Sequence, residues 1–376
     1  MRITAIDIDR LRLPLEPPFN AAWDPVPRRF FEASIVRVYT DEGLVGIGSG
    51  DTMDGFERYA ELFLGRDPLP IARHARTLET LAFHAGRYWP LEAALWDLLG
   101  KAAGLPVAAL LGGARERLPA YASLGELRPP EQRAQDALAL LEQGFRAVKV
   151  RIAPERLEEG LTTVSAIRAA AGERLEVIVD LNQWWRMPGD ERQRLDPAAA
   201  RRALVRLREQ GVLWVEEPLP GADLTGMAAL RAASGVRIGG GEMARSFEEL
   251  AQALERDALD VYQPDAVLAL GISGARTLAE LALRRGRWFT PHTWTNGIGL
   301  LANLHLCAGV GGGPLLELPH DPPSWTAQRR DFMLAVPLAV DAEGMLRVPS
   351  APGLGVELDE DVVSFYAVDR RHASGR

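Results

Sequence analysis

The chain has 376 residues, 47% of them hydrophobic and 25% charged, with a formal net charge of −8 at pH 7. This is the composition of a soluble globular protein, long enough for two domains or for one barrel with an appended domain. The acidic balance argues against nucleic acid as a partner, no apolar run reaches the roughly 18 residues of a membrane span, and the single cysteine, Cys307, excludes an internal disulfide.

The opening MRITAIDIDRLRL alternates apolar and polar residues as a strand does and lacks the long apolar run of a signal peptide. A reducing, cytoplasmic location is the expectation. Residues 3–13 and 32–40 read as strands, and Asp41-Glu42-Gly43 between ASIVRVYT and LVGIGSG signals a hairpin turn. Beyond Arg58 the period changes. Leu91, Ala94, Leu95, Leu98, Leu99 and Ala102 share one helical face, which ends at Gly104 and Pro106. Strands followed by helices predict a small α+β capping domain over residues 1–117.

From Leu118 onward strand alternates with helix. The strand candidates are PAYAS (119–123), AVKVRI (147–152), LEVIVD (175–180), VLWVEE (212–217), VRIGGGE (236–242), LDVYQPD (259–265), RWFTPH (287–292) and PLLEL (314–318). Helical stretches such as 197–210 and 246–255 lie between them. This alternation over residues 118–329 predicts an α/β protein with a TIM-type barrel. A doubly wound open sheet is the competing topology. Its nucleotide-binding form lacks support, because no Gly-x-Gly-x-x-Gly follows the first barrel strand and no Gly-Lys-Ser/Thr phosphate loop occurs. Residues from about 330 to 376 are strand-like and rich in Pro and Gly. They are expected to leave the barrel and complete the capping domain.

The charged residues that close these strands carry the chemistry. Asp180, Glu216 and Glu242 end three successive strands, one βα unit apart. A parallel barrel gathers such ends on one face, where barrels of this type keep their active sites. One acid alone could cap the next helix or pair with an arginine; three in succession suit a hard divalent cation such as Mg²⁺. Lys149 and Arg151 alternate onto the same face of the second strand, opposite the acids. An interior salt-bridge layer is the plainer account of that pair. Asp265 and His292 end the sixth and seventh strands and would be neighbours. A carboxylate beside an imidazole makes a competent general base, the alternative being a structural histidine bonded to backbone. Glu317 ends the last strand.

This arrangement closely resembles the enolase superfamily, and within it the mandelate racemase subgroup. The resemblance covers nearly the whole chain and includes ALWDLLGKAAGLP…LLGG, the Lys-x-Arg strand, the Asp/Glu/Glu ends, QPD, PHTWTNGIG and the late LEL strand. It implies a (β/α)7β barrel with a cap built from both termini. It also implies one Mg²⁺ held by Asp180, Glu216 and Glu242, proton abstraction α to a carboxylate, and an enediolate stabilised by the metal and Lys149, with Arg151 assisting. Glu317 resembles the family's acid that hydrogen-bonds a carboxylate oxygen, a role in which it would carry or share a proton. The resemblance places specificity in two cap segments, residues 16–29 and 49–57, where Trp23, Arg29 and Asp51 are candidates for the distal end of the substrate. Asn182 is a candidate for sugar hydroxyls, Trp184 and Trp185 for shielding the site from water, and His320 for a further substrate contact; ordinary packing is the alternative for each. His84 and Cys307 are expected to be structural. A homo-oligomer is implied as well, with an octamer as the suggested assembly.

One departure is informative. The racemase pattern has Lys-x-Lys with the second lysine as base, whereas Arg151 stands at that place and stays protonated near any physiological pH. Racemisation needs a base on each side of the carbon. With His292 as the one competent base, a one-sided reaction is favoured: loss of the β-hydroxyl after α-proton removal, giving a 2-keto-3-deoxy acid. The same substitution argues against a cycloisomerase, whose pattern also relies on lysine bases. The sequence therefore reads as a Mg²⁺-dependent sugar-acid dehydratase, a hydro-lyase of carbohydrate catabolism acting on an aldonate or an aldarate. The alternatives are a racemase or epimerase of a 2-hydroxy acid, and a non-catalytic metal- and carboxylate-binding barrel, against which the His292–Asp265 pair counts. A metal-dependent hydrolase is disfavoured, since such sites use several histidines and this chain has six in all.

Overall fold

The computed structural model describes residues 1–51 and 53–375. Thr52, inside the second of the two cap segments, and the terminal Arg376 lie outside the described residues. The alternating N-terminal residues form β1 (Ile3–Phe19), β2 (Arg28–Thr40) and β3 (Val45–Gly50), an antiparallel meander. The β2–β3 turn places Gly43 at φ 80°, a conformation that suits glycine. Two helices follow, α1 (Ile71–His84) and α2 (Trp89–Ala103). Helix α2 lies directly on β3. A Cβ at Gly46 would sit 2.2 Å from the Ala94 carbonyl oxygen, and one at Gly48 would sit 2.1 Å from that of Pro90, so only glycine permits this approach.

The short α3 (Val107–Leu110) leads into the barrel. Its elements are β4 (Arg117–Ser123), α4 (Pro130–Glu142), β5 (Ala147–Arg151), α5 (Leu157–Ala171), β6 (Glu176–Asp180), α6 (Pro197–Glu209), β7 (Trp214–Glu216) and α7 (Leu224–Ser234). Then come β8 (Arg237–Gly240), α8 (Phe247–Glu255), β9 (Val261–Tyr262), α9 (Gly271–Arg284), β10 (Trp288–Phe289), α10 (Gly297–Val310) and β11 (Leu316–Pro319). Eight parallel strands and seven helices make the expected (β/α)7β barrel. The ladder runs β10-β9-β8-β7-β6-β5-β4-β11. Its two ends meet where Gly313 N donates to Phe289 O (2.8 Å) and Thr290 Oγ1 to Leu315 O (2.5 Å).

The barrel floor is a plug of Tyr121, Ala147, Ile178, Trp214 and Val261, with the Tyr121 and Trp214 rings edge to face at 5.6 Å. Lys149 lies over the Tyr121 ring. Several barrel strands are shorter than the sequence predicts, β9 and β10 the most. β9 and β10 stop at Tyr262 and Phe289, so Asp265 and His292 stand three residues beyond their strands rather than at their ends. Pro264 and Pro291 have no N–H to continue a ladder, and the chain turns out there.

After β11 come α11 (Ala327–Arg330), β12 (Met345–Arg347), α12 (Glu360–Tyr366) and β13 (Ala367–Ser374). β12 pairs antiparallel with β4, and β13 joins the outer edge of the N-terminal sheet beside β1. β13 thus packs on the N-terminal sheet, whereas β12 stays on the barrel strand β4. Among the described residues no helix is long and apolar enough to cross a membrane.

Candidate active site

Asp180 and Glu216 are the last residues of β6 and β7; Glu242 stands two residues past β8, after Gly241 at φ 107°. All three are buried, and one carboxylate oxygen of each lies within 4.8 Å of the others. Burial pushes the Asp180 carboxyl up; Arg151 opposes that rise, and Glu216 and Glu242 add to it. Glu217 adjoins the trio at φ 49°, with neither carboxylate oxygen hydrogen-bonded among the described residues, and burial together with Glu242 and Asp180 drives its pKa well above the usual range. Such crowding of buried acids is unfavourable unless a cation relieves it. An all-oxygen donor set fits a hard divalent ion.

Neighbouring groups fix two of these acids firmly. Glu216 Oε1 accepts from Trp214 Nε1 (2.9 Å) and Gln263 Nε2 (2.7 Å), and its Oε2 from Lys149 Nζ (2.6 Å). Asp180 Oδ1 accepts from Asn182 N (2.7 Å), and its Oδ2 pairs with Arg151. Glu242 Oε1 accepts from Trp185 Nε1 (2.8 Å).

Alternation on β5 sends both cations inward. Lys149, 0% exposed, sits 2.6 Å from both Glu216 and Glu317 and 3.7 Å from Asp180. Burial lowers its pKa, but Glu216 and Glu317 outweigh that and raise it, so it remains an ammonium. Arg151 donates to Leu124 O (3.2 Å) and Asn182 Oδ1 (3.1 Å), and its guanidinium lies 4.6 Å from the Trp23 ring and 5.9 Å from that of Trp294. Burial lowers its pKa too, yet Asp180 and Glu242 raise it overall, which keeps it charged.

Glu317 lies at the same cluster, on β11. It accepts from Ser123 Oγ (2.8 Å) and Thr293 N (2.8 Å) in addition to its Lys149 contact. Burial pushes its pKa up, but Lys149, His292 and Arg151 overcome this and bring it down to about 2. Beside the Lys149 ammonium its carboxylate form is favoured; the proton-sharing role that the resemblance implies concerns a bound substrate carboxylate.

His292 Nδ1 lies 3.0 Å from Asp265 Oδ2, and its Nε2 lies 3.7 Å from Glu242 Oε2. Asp265 Oδ1 accepts from Val267 N (2.8 Å) and Asn303 Nδ2 (3.0 Å). With Asp265 so fixed, Nδ1 carries the hydrogen bonded to it and Nε2 faces the acids. Burial lowers the imidazole's pKa, but Glu242, Glu317 and Asp265 together lift it to about 9. A cation among the acids would cancel part of that field and lower it.

The cap candidates divide. Trp23 reaches the site, edge-on to Trp294 at 4.9 Å. Asn182 lies between Arg151 and Asp180. Asp51 follows β3 with its side chain partly reached by solvent; desolvation first, and then the Asp265 carboxylate, push its pKa up to about 6 against Arg28, His292 and Arg87. Arg29 is exposed on the other side of β2; the arginine toward the site is Arg28, bonded to Asp24 (2.9 Å) and 5.6 Å from the Trp23 ring. Trp184 is buried against Gly221 and Gly240; Trp185 is the indole that reaches an acid. His320 turns away onto Gln143 (2.9 Å) and the Phe145 ring. Cys307 is buried, its thiol pushed up to about 12 by burial, as suits a structural residue; His84 is exposed at the end of α1. Sequence reasoning missed Gln263, Thr293 and Trp294, although QPD and PHTWTNGIG contain them, and Ser123, which ends β4.

A (β/α)7β barrel whose mouth gathers three carboxylates, two fixed cations and a His–Asp pair has the groups to hold a hard divalent cation and to move a proton. Residues 10–112 match the N-terminal domain of mandelate racemase / muconate lactonizing enzyme, and residues 132–362 match the enolase C-terminal domain-like family. The chain belongs to this mandelate racemase/muconate lactonizing branch of the enolase superfamily. It is 28% identical over 391 residues to a D-galactarolactone cycloisomerase of Agrobacterium fabrum, covering 97% of this chain and 99% of that one. It is 32% identical over 267 residues to an L-talarate/galactarate dehydratase of Salmonella typhimurium, covering 69% and 63%. Among solved structures, an L-talarate dehydratase of Polaromonas sp. JS666 complexed with Mg and L-glucarate superposes with a TM-score of 0.82 at 26% identity, covering 100% of this chain and 99% of that one.

Proposed function

We propose that the protein is a Mg²⁺-dependent dehydratase of a sugar acid, an aldonate or aldarate. The observation that carries this reading is the asymmetry of bases around the acid trio. On the β5 side, Lys149 and Arg151 are both held protonated by buried carboxylates. On the opposite side, His292 presents Nε2 with Asp265 behind it. A site with one base removes a proton from one face and favours elimination over inversion.

Asp180, Glu216 and Glu242 would hold the Mg²⁺, which supplies positive charge where the substrate carboxylate gains negative charge. Lys149 would donate to a carboxylate oxygen, with Glu216 and Glu317 fixing its ammonium. Arg151 would add a second fixed cation. His292 Nε2 would take the α-proton and, as imidazolium, return it to the departing β-hydroxyl, which leaves as water. The resulting enol tautomerises to the 2-keto-3-deoxy acid. Trp23, stacked on Arg151, and Trp294 would exclude water from that face. The talarate/galactarate and other sugar-acid dehydratases among the relatives support this substrate class.

The near full-length similarity to a cycloisomerase supports a second reading, in which the same single base eliminates a ring oxygen instead of hydroxide. Incubation of pooled aldonates, aldarates and their lactones with enzyme and Mg²⁺, followed by trapping of 2-keto acids with semicarbazide, tests both. Keto acid from open-chain acids supports the dehydratase, keto acid from lactones alone supports the cycloisomerase, and keto acid from neither set refutes both.

A further inference from the structure

The three acids are not equally supported. Glu216 accepts three hydrogen bonds, and Asp180 accepts from Asn182 and pairs with Arg151. Glu242, off the end of its strand, accepts one hydrogen bond among the described residues, from the Trp185 indole. Its other oxygen faces His292 Nε2 at 3.7 Å, beyond hydrogen-bond reach.

Trp185 lies in the irregular stretch 181–196 between β6 and α6. Its half-buried ring packs against both the main core and the aromatic cluster of Phe19, Trp23 and Trp325. The same stretch is fastened to the cap where Arg192 Nη1 donates to Ala22 O at 2.9 Å.

We propose that Trp185 is a positioning residue for the divalent cation: its indole N–H sets the rotation of the Glu242 carboxylate, and its ring ties that rotation to the aromatic cluster of the cap. This rests on the reading of the acid trio as a metal site. The physical basis is that a metal-binding carboxylate without a partner of its own loses part of its binding free energy to reorientation, and loss of such outer partners typically weakens metal affinity about 10–100-fold. Closure of the cap over substrate would then stiffen the metal site as well as exclude water.

The test is Trp185→Phe, which keeps an aromatic ring in the cluster and removes the N–H. Mg²⁺ binding to metal-free protein is measured by calorimetry, and Trp184→Phe serves as control because, among the described residues, the Trp184 indole donates to none of the three acids, whereas that of Trp185 donates to Glu242. The expected result is a Kd raised about 10–100-fold in Trp185→Phe, with unchanged thermal stability in EDTA and a near wild-type Kd in the control. A Kd within twofold of wild type overturns the proposal. Should the substitution disturb folding, the wild-type protein decides: Mg²⁺ titration is expected to shift one indole ¹H–¹⁵N resonance strongly, and no shifted indole overturns the inference. Wild-type protein that takes up no Mg²⁺ refutes the metal reading itself, an outcome distinct from normal uptake by both proteins.

Discussion

Lys149→Met separates the two roles that buried charge plays in this barrel. In the metal-free protein Lys149 is fully buried between Glu216 and Glu317, each at 2.6 Å, with Asp180 at 3.7 Å. Methionine fits the stem's volume but leaves those carboxylates without their shared cation. Removing one partner of a buried ion pair costs about 3–5 kcal/mol. With an unfolding entropy of ~2.1 cal/mol/K per residue over 376 residues, this corresponds to a fall in Tm of about 4–6 °C. Mg²⁺ should narrow the gap. The variant site carries one positive charge fewer, so it attracts a dication more strongly, and the Mg²⁺ Kd should fall about tenfold. Turnover should nevertheless drop by about 10²–10³-fold or more, since a fixed donor to the developing negative charge is gone. Thermal unfolding with EDTA and with saturating Mg²⁺, together with steady-state kinetics, reads all three quantities. Unchanged metal-free stability, or weaker Mg²⁺ binding in the variant, would refute this electrostatic account.

Three further outcomes follow from the geometry. Arg151→Lys places a titratable amine where the second base of a two-base enzyme would stand; exchange of the substrate α-proton from both faces, seen as epimer formation by NMR, is expected to appear in the variant and not in the wild type. Asp265→Asn removes the acceptor that holds His292 Nδ1–H and is expected to lower kcat by about 10²–10⁴-fold with the CD spectrum retained; a loss below tenfold would show that Asp265 is dispensable. His305 accepts from Ala108 N at 3.1 Å and lies 3.1 Å from Leu354 O, and burial brings its pKa down to about 4. Because its folded pKa lies below the ordinary 6.5, its contribution is present above pH 6.5 and lost as pH falls from there toward 4. Tm measured across that window should fall less steeply in His305→Gln than in wild type.

The sequence made the acids legible because Asp180 and Glu216 end ladder strands flanked by apolar runs, and period-two alternation put Lys149 and Arg151 on one face. Asp265 and His292 were recognisable by their motifs although not as strand ends, since Pro264 and Pro291 break the ladder before them. Of the two cap arginines, Arg28 turns toward Trp23 and Arg29 outward; both lie in the segment read as a loop, where no periodicity separates them. The Lys149–Glu317 contact was beyond local reading, because the two residues, on β5 and β11, meet only in the folded barrel. Trp185 and Trp184 are adjacent in an irregular stretch, where no periodicity tells which indole turns toward Glu242.

The most direct test of one-sided proton transfer is ¹H NMR of the turnover of an identified sugar acid in D₂O with Mg²⁺, in wild type and His292→Asn. The account predicts a 2-keto-3-deoxy product from wild type with no epimer of the substrate, and neither product nor α-deuterium incorporation from His292→Asn. Epimer formation by wild type, or α-proton exchange that survives the loss of His292, would contradict it.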